Sequence, residues 1–173
     1  MWSDFLVSNL LFSVVIYPIL FIFPAYAANG IPVLLGGAWG PLDLKKKFRG
    51  IRILGDNKTI RGTIVALLAG FIAGYIESWA LPGLLISFIV MTFGAVFGDL
   101  LGSFLKRQFR FKPGSSFPVM DQYGFFVFAV LFAYPFGNLP SLYGVLFLVA
   151  LTGIIHVGTN IGAYKLGLKK VPW

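Results

Sequence analysis

Long apolar runs separated by short polar stretches dominate this sequence. Five runs are candidates for membrane spans, at about residues 5–28, 63–78, 81–104, 123–136 and 142–164. A helix needs about 20 mostly apolar residues to cross the roughly 30 Å hydrocarbon core of a bilayer. The pattern predicts an all-α polytopic integral membrane protein with five transmembrane helices. They would form a single membrane domain over residues 1–173, with loops at 29–62 and 105–122.

Three details refine these boundaries. The second and fourth runs are short, so we expect their helices to extend into the flanking polar residues. Pro18 and Pro24 lie in the first run and predict a kink or an early end, because proline has no backbone N–H to donate. No basic segment and no small-residue cleavage site accompany this run, so we expect a retained helix rather than a signal peptide.

Composition excludes the common soluble classes. Hydrophobic residues make up 58% of the chain and charged residues 12%, and the mean hydropathy is +0.86. A soluble domain carries about a quarter charged residues, and a chain this aromatic cannot remain solvated as a disordered polymer. The sequence has no cysteine, which excludes disulfides, thiolate metal sites and cysteine nucleophiles.

The charges are distributed very unevenly. All fourteen lysines and arginines fall within three stretches, at residues 45–61, 106–112 and 165–170, and five crossings put these stretches on one side of the membrane. The positive-inside rule then predicts an outside amino terminus and a cytoplasmic carboxy terminus. We therefore interpret the net charge of +8 as a topology signal and expect no nucleic-acid partner. The expected location is the cytoplasmic membrane, with any active site facing the cytoplasm.

The third apolar run carries a polar face. Thr92, Asp99, Ser103 and Lys106 are spaced by seven, four and three residues, which places them on one side of a helix. A carboxylate within a membrane span is costly and usually functional, so Asp99 is a candidate site residue. The alternative is a carboxylate that reaches the interface or pairs with a neighbouring lysine.

The two loops hold the remaining polar candidates. Basic residues, serines and an acid follow the third run, a combination that suits polyphosphate binding: Lys106, Arg107, Arg110, Lys112, Ser115, Ser116 and Asp121. The alternative is that these bases only fix topology and contact anionic lipid.

The first loop ends in Asp56, Asn57, Lys58 and Thr59, directly before a helix whose N-terminus attracts anions. This suggests a phosphate or nucleotide cradle, although a turn followed by an N-cap fits equally well. We expect the lysines at 45–47 to be solvated or lipid-touching, and Asp43 to matter little. In the fifth run we expect interhelical hydrogen bonds rather than catalysis from Thr152, His156 and Asn160.

At this point the motifs carry a resemblance. Residues 98–122 resemble the signature of the CTP-dependent lipid-phosphate cytidylyltransferases, the CDP-diacylglycerol synthase superfamily. With the element at residues 56–62, the chain is most similar to the archaeal branch, the CDP-archaeol synthases. The residues that match are Lys58, Thr59, Gly62, Ser103, Lys106, Arg107, Lys112, Ser115, Pro118 and Asp121. Pro113 and Gly124 stand where bacterial-type members have carboxylates, and we expect Asp99 or Asp56 to compensate.

The resemblance implies an enzyme that transfers a cytidylyl group from CTP to an archaeal ether-lipid phosphate. It assigns Mg²⁺, with Mn²⁺ possible, to Asp99 and Asp121, and the phosphates to Lys106, Arg107 and Lys112. The implied nucleotide-binding residues are Asp56, Asn57, Lys58, Thr59, Ser103 and Ser115. CTP, the ether-lipid phosphate and membrane lipids are the implied partners. Another CTP-dependent lipid or polyprenol kinase and a non-enzymatic small transporter remain as alternatives.

Overall fold

The computed structural model of the protein describes residues 10–37, 39–111, 115, 117–168 and 171–172. A π-helical turn, Phe12–Ile16, leads into α1 (Tyr17–Leu35), and a small hairpin of β1 (Lys47–Phe48) and β2 (Ile51–Arg52) follows. The other helices are α2 (Ile60–Ala80), α3 (Leu85–Gln108), α4 (Pro118–Ala133) and α5 (Leu142–Lys165), with a 3₁₀ turn, Tyr134–Phe136, after α4.

Five helical segments of the described chain are long and apolar enough to cross a membrane: Phe12–Leu35, Ile60–Ala80, Leu85–Gln108, Val119–Phe136 and Leu142–Lys165. The predicted all-α, five-helix membrane fold is confirmed. Several charges used for the topology prediction lie outside the described residues, namely Asp4, Lys112, Lys169 and Lys170.

The first helix ends later than predicted, and its predicted start near residue 5 lies outside the described residues. It continues through Pro24 and Pro32 to Leu35 instead of ending near residue 28, so the first loop covers residues 36–59. The apolar pattern resumes at residues 31–35 after Asn29 and Gly30, and these five residues belong to the helix. Neighbouring helices and local adjustments make proline tolerable within membrane helices.

The second loop is also shorter than predicted. Because α3 reaches Gln108 and α4 begins at Pro118, Lys106 and Arg107 lie on the last turn of α3, and Asp121 lies on the first turn of α4. Hydropathy marks a boundary at the first charge, whereas the backbone helix continues past it. Cations near a helix C-terminus and an anion near an N-terminus are favourable.

Helices α1, α3 and α4 build the core. Phe21 and Ile22 of α1 and Phe88 and Met91 of α3 are fully buried against one another and against Phe125 and Ala129 of α4. The hydroxyl of Tyr26 on α1 lies 2.8 Å from Oγ1 of Thr152 on α5, which is the kind of interhelical hydrogen bond expected for the polar residues of the fifth run.

The contact between α3 and α4 is the most extensive among the described helices. A Cβ added at Gly98 would lie 2.3 Å from the carbonyl oxygen of Gly124, and one added at Gly94 would lie 2.3 Å from that of Phe128. Such backbone approach requires glycine, and small residues at interfaces are typical of membrane helix pairs. We call this contact the glycine seam, defined by Gly94, Gly98 and Gly124.

Candidate active site

The glycine seam places the charged C-terminal end of α3 beside the N-terminal end of α4. Asp99 directly follows Gly98, and Asp121 precedes Gly124 by about one helical turn. Nearer the end of α3, a Cβ added at Gly102 would lie 3.7 Å from the carbonyl oxygen of Met120. Antiparallel packing therefore gathers two carboxylates from different helices at one end of the pair.

Asp121 is paired with a lysine of the neighbouring helix. The Nζ atom of Lys106 lies 2.9 Å from Oδ1 and 2.8 Å from Oδ2 of Asp121. The Asp121 carboxylate also accepts a hydrogen bond from the backbone N–H of Phe117 at 2.9 Å. The partly buried Asp121 side chain is therefore held by both a charge and a helix N-terminus.

Asp99 is paired with a lysine of the first loop. The Nζ atom of Lys58 lies 2.5 Å from Oδ2 of Asp99, although the two residues are 41 positions apart in the chain. The Asp99 side chain is 42% exposed. One helical turn further along, the hydroxyl of Ser103 donates to the carbonyl oxygen of Asp99 at 3.1 Å. Pairing with a lysine was the alternative weighed for Asp99, and the structure shows that pair.

The first loop folds around a buried acid that the sequence interpretation undervalued. Asp43 is 7% exposed, and its carboxylate accepts hydrogen bonds from the backbone N–H groups of Lys45, Leu54 and Gly55 at 3.0–3.2 Å. The guanidinium of Arg52 adds two more, from Nε at 3.1 Å and Nη2 at 2.8 Å. Arg52 and these backbone donors hold the pKa of the Asp43 carboxyl well below its usual range.

The expectation that Asp43 matters little ignored a usable signal. It is the only acid between Pro41 and Arg52, in a stretch otherwise rich in bases. A lone acid among bases is a strong candidate for an ion-paired hub, because a buried carboxylate needs several donors. Its actual partners, however, depend on the turn of the hairpin.

The first loop also lies against the end of α3. The rings of Phe48 and Phe104 are 6.1 Å apart, centroid to centroid. A Cβ added at Gly55 would lie 3.6 Å from Cδ of Arg107. The loop carrying Lys58 and the helix end carrying Arg107 are therefore neighbours, so both candidate motifs contribute to one site.

Comparison with known proteins decides the family. A family model described as CarS-like, CDP-archaeol synthase, matches residues 11–173. The chain belongs to the CDP-archaeol synthase family. The CDP-archaeol synthase of Pyrococcus horikoshii is 45% identical over 161 aligned residues, covering 88% of this chain and 94% of the relative. That of Methanococcus maripaludis strain C5 is 42% identical over 179 aligned residues, covering 95% and 97%.

A solved structure agrees with the family assignment. It is described as an intramembrane enzyme for archaeal membrane lipids biosynthesis, and it matches this chain with a TM-score of 0.76 at 31% sequence identity. The match covers 88% of this chain and 95% of the other. The resemblance to the CDP-archaeol synthase family that the motifs at 56–62 and 98–122 indicated is confirmed.

Within this family member, the structure brings five of the predicted site residues into the following contacts. Lys58 meets Asp99, Lys106 meets Asp121, and Arg107 lies beside Gly55. Asp56 and Asn57 are exposed in the turn that precedes α2, where Asp56 lies 3.0 Å from Arg52. Ser115 is half-buried in the segment between α3 and α4. Lys112 lies outside the described residues.

Thr59 has a clear structural task. It is the N-cap of α2, where its Oγ1 accepts a hydrogen bond from the backbone N–H of Gly62 at 3.1 Å. Such a cap stabilises a helix by about 1 kcal/mol. The N-cap alternative raised for this segment is therefore present, and the nucleotide contact assigned to Thr59 stays a prediction.

The donor set fits a divalent cation that arrives with a phosphate ligand. The described residues contain no group of three or more acids or histidines able to enclose a metal. Magnesium, however, is usually bound by one or two carboxylates together with substrate phosphates and water. Asp99 and Asp121 supply two carboxylates at one end of the glycine seam, each now balanced by a lysine ammonium.

Proposed function

We propose that this chain transfers a cytidylyl group from CTP to an archaeal ether-lipid phosphate, giving CDP-archaeol and pyrophosphate. Membership of the CDP-archaeol synthase family supports this reaction. The structural observation that best supports the reaction is the pairing of Lys58 with Asp99 and of Lys106 with Asp121 at one end of the bundle. These pairs supply cations and carboxylates of the kind that CTP and a lipid phosphate require.

The chemistry needs little from the protein besides positioning and charge. An oxygen of the lipid phosphate attacks the α-phosphorus of CTP and forms a new P–O bond. The bond from the α-phosphorus to the bridging oxygen breaks, and pyrophosphate leaves with that electron pair. The nucleophile is already an anionic oxygen, so no general base is required. The single histidine of the chain, His156, therefore needs no catalytic role.

Charge neutralisation is the main task of the site residues. The two substrates together carry on the order of six negative charges, which repel one another strongly in a partly desolvated site. Lys58, Lys106 and Arg107 would contact phosphate oxygens, with Lys112 as a further predicted contact. Fixed cations at the places where charge develops lower the barrier without reorganisation during the reaction.

We assign a divalent cation, Mg²⁺ or Mn²⁺, to Asp99 and Asp121. When bound, it would neutralise charge on the reacting phosphates and on departing pyrophosphate. The two carboxylates would then exchange their lysine partners for this cation, which frees the Lys58 and Lys106 ammonium groups for the substrates. Lysine suits this exchange because its ammonium is a compact charge on a flexible stem.

We further propose that the site faces the cytoplasm from the cytoplasmic membrane. The positive-inside rule supports this orientation, because the basic residues that the structure describes belong to the two loops and the helix ends on the side of the bundle that carries the site. The chain has no native cysteine, so single cysteines at Ser141 and Lys46 can be labelled in sealed, right-side-out vesicles. Only the Ser141 position should react, and equal labelling of both would contradict the orientation.

Isotope tracing tests the reaction and separates it from a CTP-dependent kinase. Purified protein is given ether-lipid phosphate, Mg²⁺ and CTP labelled at either the α- or the γ-phosphate. Cytidylyl transfer places the α-label in the lipid and the γ-label in pyrophosphate. A kinase would place the γ-label in the lipid, and a transporter would leave both labels in CTP.

A further inference from the structure

The first loop contains a buried carboxylate, that of Asp43, which has no role in the reaction above. The Asp43 side chain is 1% exposed, and its two oxygens accept five hydrogen bonds from three backbone N–H groups and the Arg52 guanidinium. An ionised carboxylate is buried only where donors replace its water. Five donors therefore fix the path of the chain around it.

Two of these donors lie next to the segment assigned to CTP. The N–H groups of Leu54 and Gly55 donate to Oδ2 of Asp43 at 3.0 and 3.2 Å, and Asp56 is the next residue. Arg52 connects the same two places, because its Nη2 lies 2.8 Å from Asp43 and 3.0 Å from Asp56. The leading end of the Asp56–Thr59 segment is thus tied to Asp43 both directly and through Arg52.

The trailing end of the segment is tied to the residue before Asp43. The N–H of Leu42 donates to the carbonyl oxygen of Lys58 at 2.7 Å, and Pro41 forms a bridge with Thr59. The side chain of Lys58 then extends to Asp99. Residues 41–43 therefore make hydrogen bonds at or next to both ends of the Asp56–Thr59 segment, and Asp43 adds the ion pair with Arg52.

We propose that Asp43 is a positioning residue for nucleotide binding, acting through Arg52 and the backbone of Leu54 and Gly55 to preset Asp56–Lys58 for CTP. This inference rests on the proposed function, because CTP is the ligand assigned to the segment there. A loop ordered before binding avoids the cost of ordering it during binding. Loss of Asp43 should therefore weaken CTP binding rather than slow the chemical step.

The kinetic test compares Asp43→Asn and Arg52→Gln with a matched control, Arg49→Gln. Arg49 lies in the same hairpin but rests over the ring of Phe48 and makes no contact with Asp43 among the contacts described. Asp43→Asn and Arg52→Gln should raise the KM for CTP about tenfold or more, with kcat and the KM for lipid within about threefold. Arg49→Gln should match the wild type.

A second test needs no substrate. Hydrogen–deuterium exchange of the wild type and Asp43→Asn is compared in detergent. Amides at residues 54–58 should exchange at least about tenfold faster in the variant, whereas peptides of α3 and α4 should be unchanged, because only a local opening is made easier. The KM for CTP of the Asp43→Asn/Arg52→Gln double variant should be no higher than that of the more impaired single variant, because the two residues act as one unit.

Clear results would overturn the proposal. One such result is a KM for CTP of Asp43→Asn within twofold of wild type together with unchanged hydrogen–deuterium exchange at residues 54–58. Another is an equal increase in the KM values for CTP and for lipid. If Asp43→Asn does not fold, Arg52→Lys decides, since it keeps the charge but loses the forked contact. An inactive wild type would contradict the proposed function instead, and the exchange experiment would then decide the inference alone.

Discussion

The two lysine–aspartate pairs of the candidate site are built differently. Lys106 and Asp121 are 15 positions apart and join the ends of adjoining helices, with contacts to both carboxylate oxygens. Asp121 has an additional backbone donor in Phe117. Lys58 and Asp99 are 41 positions apart and meet through one oxygen, and the Asp99 side chain is the more exposed carboxylate, at 42% against 30%.

This difference separates a more firmly held pair, Lys106–Asp121, from a more readily opened one, Lys58–Asp99. Local helix geometry and a backbone N–H hold Asp121, whereas the partner of Asp99 is delivered by a loop whose order depends on Asp43. A solvent-accessible ion pair contributes only about 0–1 kcal/mol, so the Lys58–Asp99 pair can open at little cost. We infer that Lys58 is the lysine that moves most readily to a substrate phosphate, and that Lys106–Asp121 also supports the fold.

The largest effect should come from removing divalent cations. If both carboxylates exchange a lysine for a metal ion, excess EDTA should abolish formation of CDP-lipid, and Mg²⁺ or Mn²⁺ should restore it, because hard cations prefer oxygen ligands. The rate is measured as pyrophosphate released by purified protein. Full turnover in excess EDTA would mean that the lysine pairs are not exchanged for metal.

The next effect distinguishes the two lysines. Lys58→Ala and Lys106→Ala should each lower kcat/KM roughly 10- to 100-fold, because each removes a cation from the phosphates. Only Lys106→Ala should also lower the free energy of unfolding, by about 1 kcal/mol, since it leaves a partly buried carboxylate with one donor fewer. Thermal unfolding in detergent measures this, and equal destabilisation by both variants would remove the distinction between the pairs.

A further prediction tests the glycine seam, and its effect is on stability rather than directly on catalysis. Gly98→Ala puts a methyl group 2.3 Å from the carbonyl oxygen of Gly124. Overpacking of this kind costs about 1–3 kcal/mol, and here it must also shift α4 and Asp121. Gly158→Ala is the matched control, because nothing lies within 4 Å of its added Cβ. Similar unfolding temperatures for the two variants would show that the seam is not a tight contact.

Much of the fold could be predicted because a bilayer imposes simple rules on sequence. Helix length and apolar runs gave five spans, and the spacing of Asp99, Ser103 and Lys106 gave the polar face of α3. Hydropathy placed the end of α1 too early, because Asn29 and Gly30 interrupt the apolar run. Residues 31–35 are apolar again and belong to the helix. The spacing of four between Gly94, Gly98 and Gly102 in α3 is a further sign of close helix packing that can be read from the sequence alone.

The site was harder to predict because its pairings are long-range. No local pattern tells that Lys58 reaches Asp99 across 41 positions. The buried ion pair of Asp43 and Arg52 likewise depends on how the hairpin turns, with Lys45 and Arg49 both at positive φ. Residue types and spacing indicated which groups matter for phosphate chemistry, and only the folded chain shows which of them meet.

The most direct test of the account is the rate of CDP-lipid formation by three isosteric acid variants. Asp99→Asn and Asp121→Asn should each fall roughly a hundredfold or more, equivalent to about 3–4 kcal/mol of lost transition-state stabilisation. Glu77 lies near the opposite end of α2 from the site, so Glu77→Gln should remain within about twofold of wild type. Gel filtration confirms that each variant is folded. If Glu77→Gln were as damaging as Asp121→Asn, the site would not lie at the lysine–aspartate pairs.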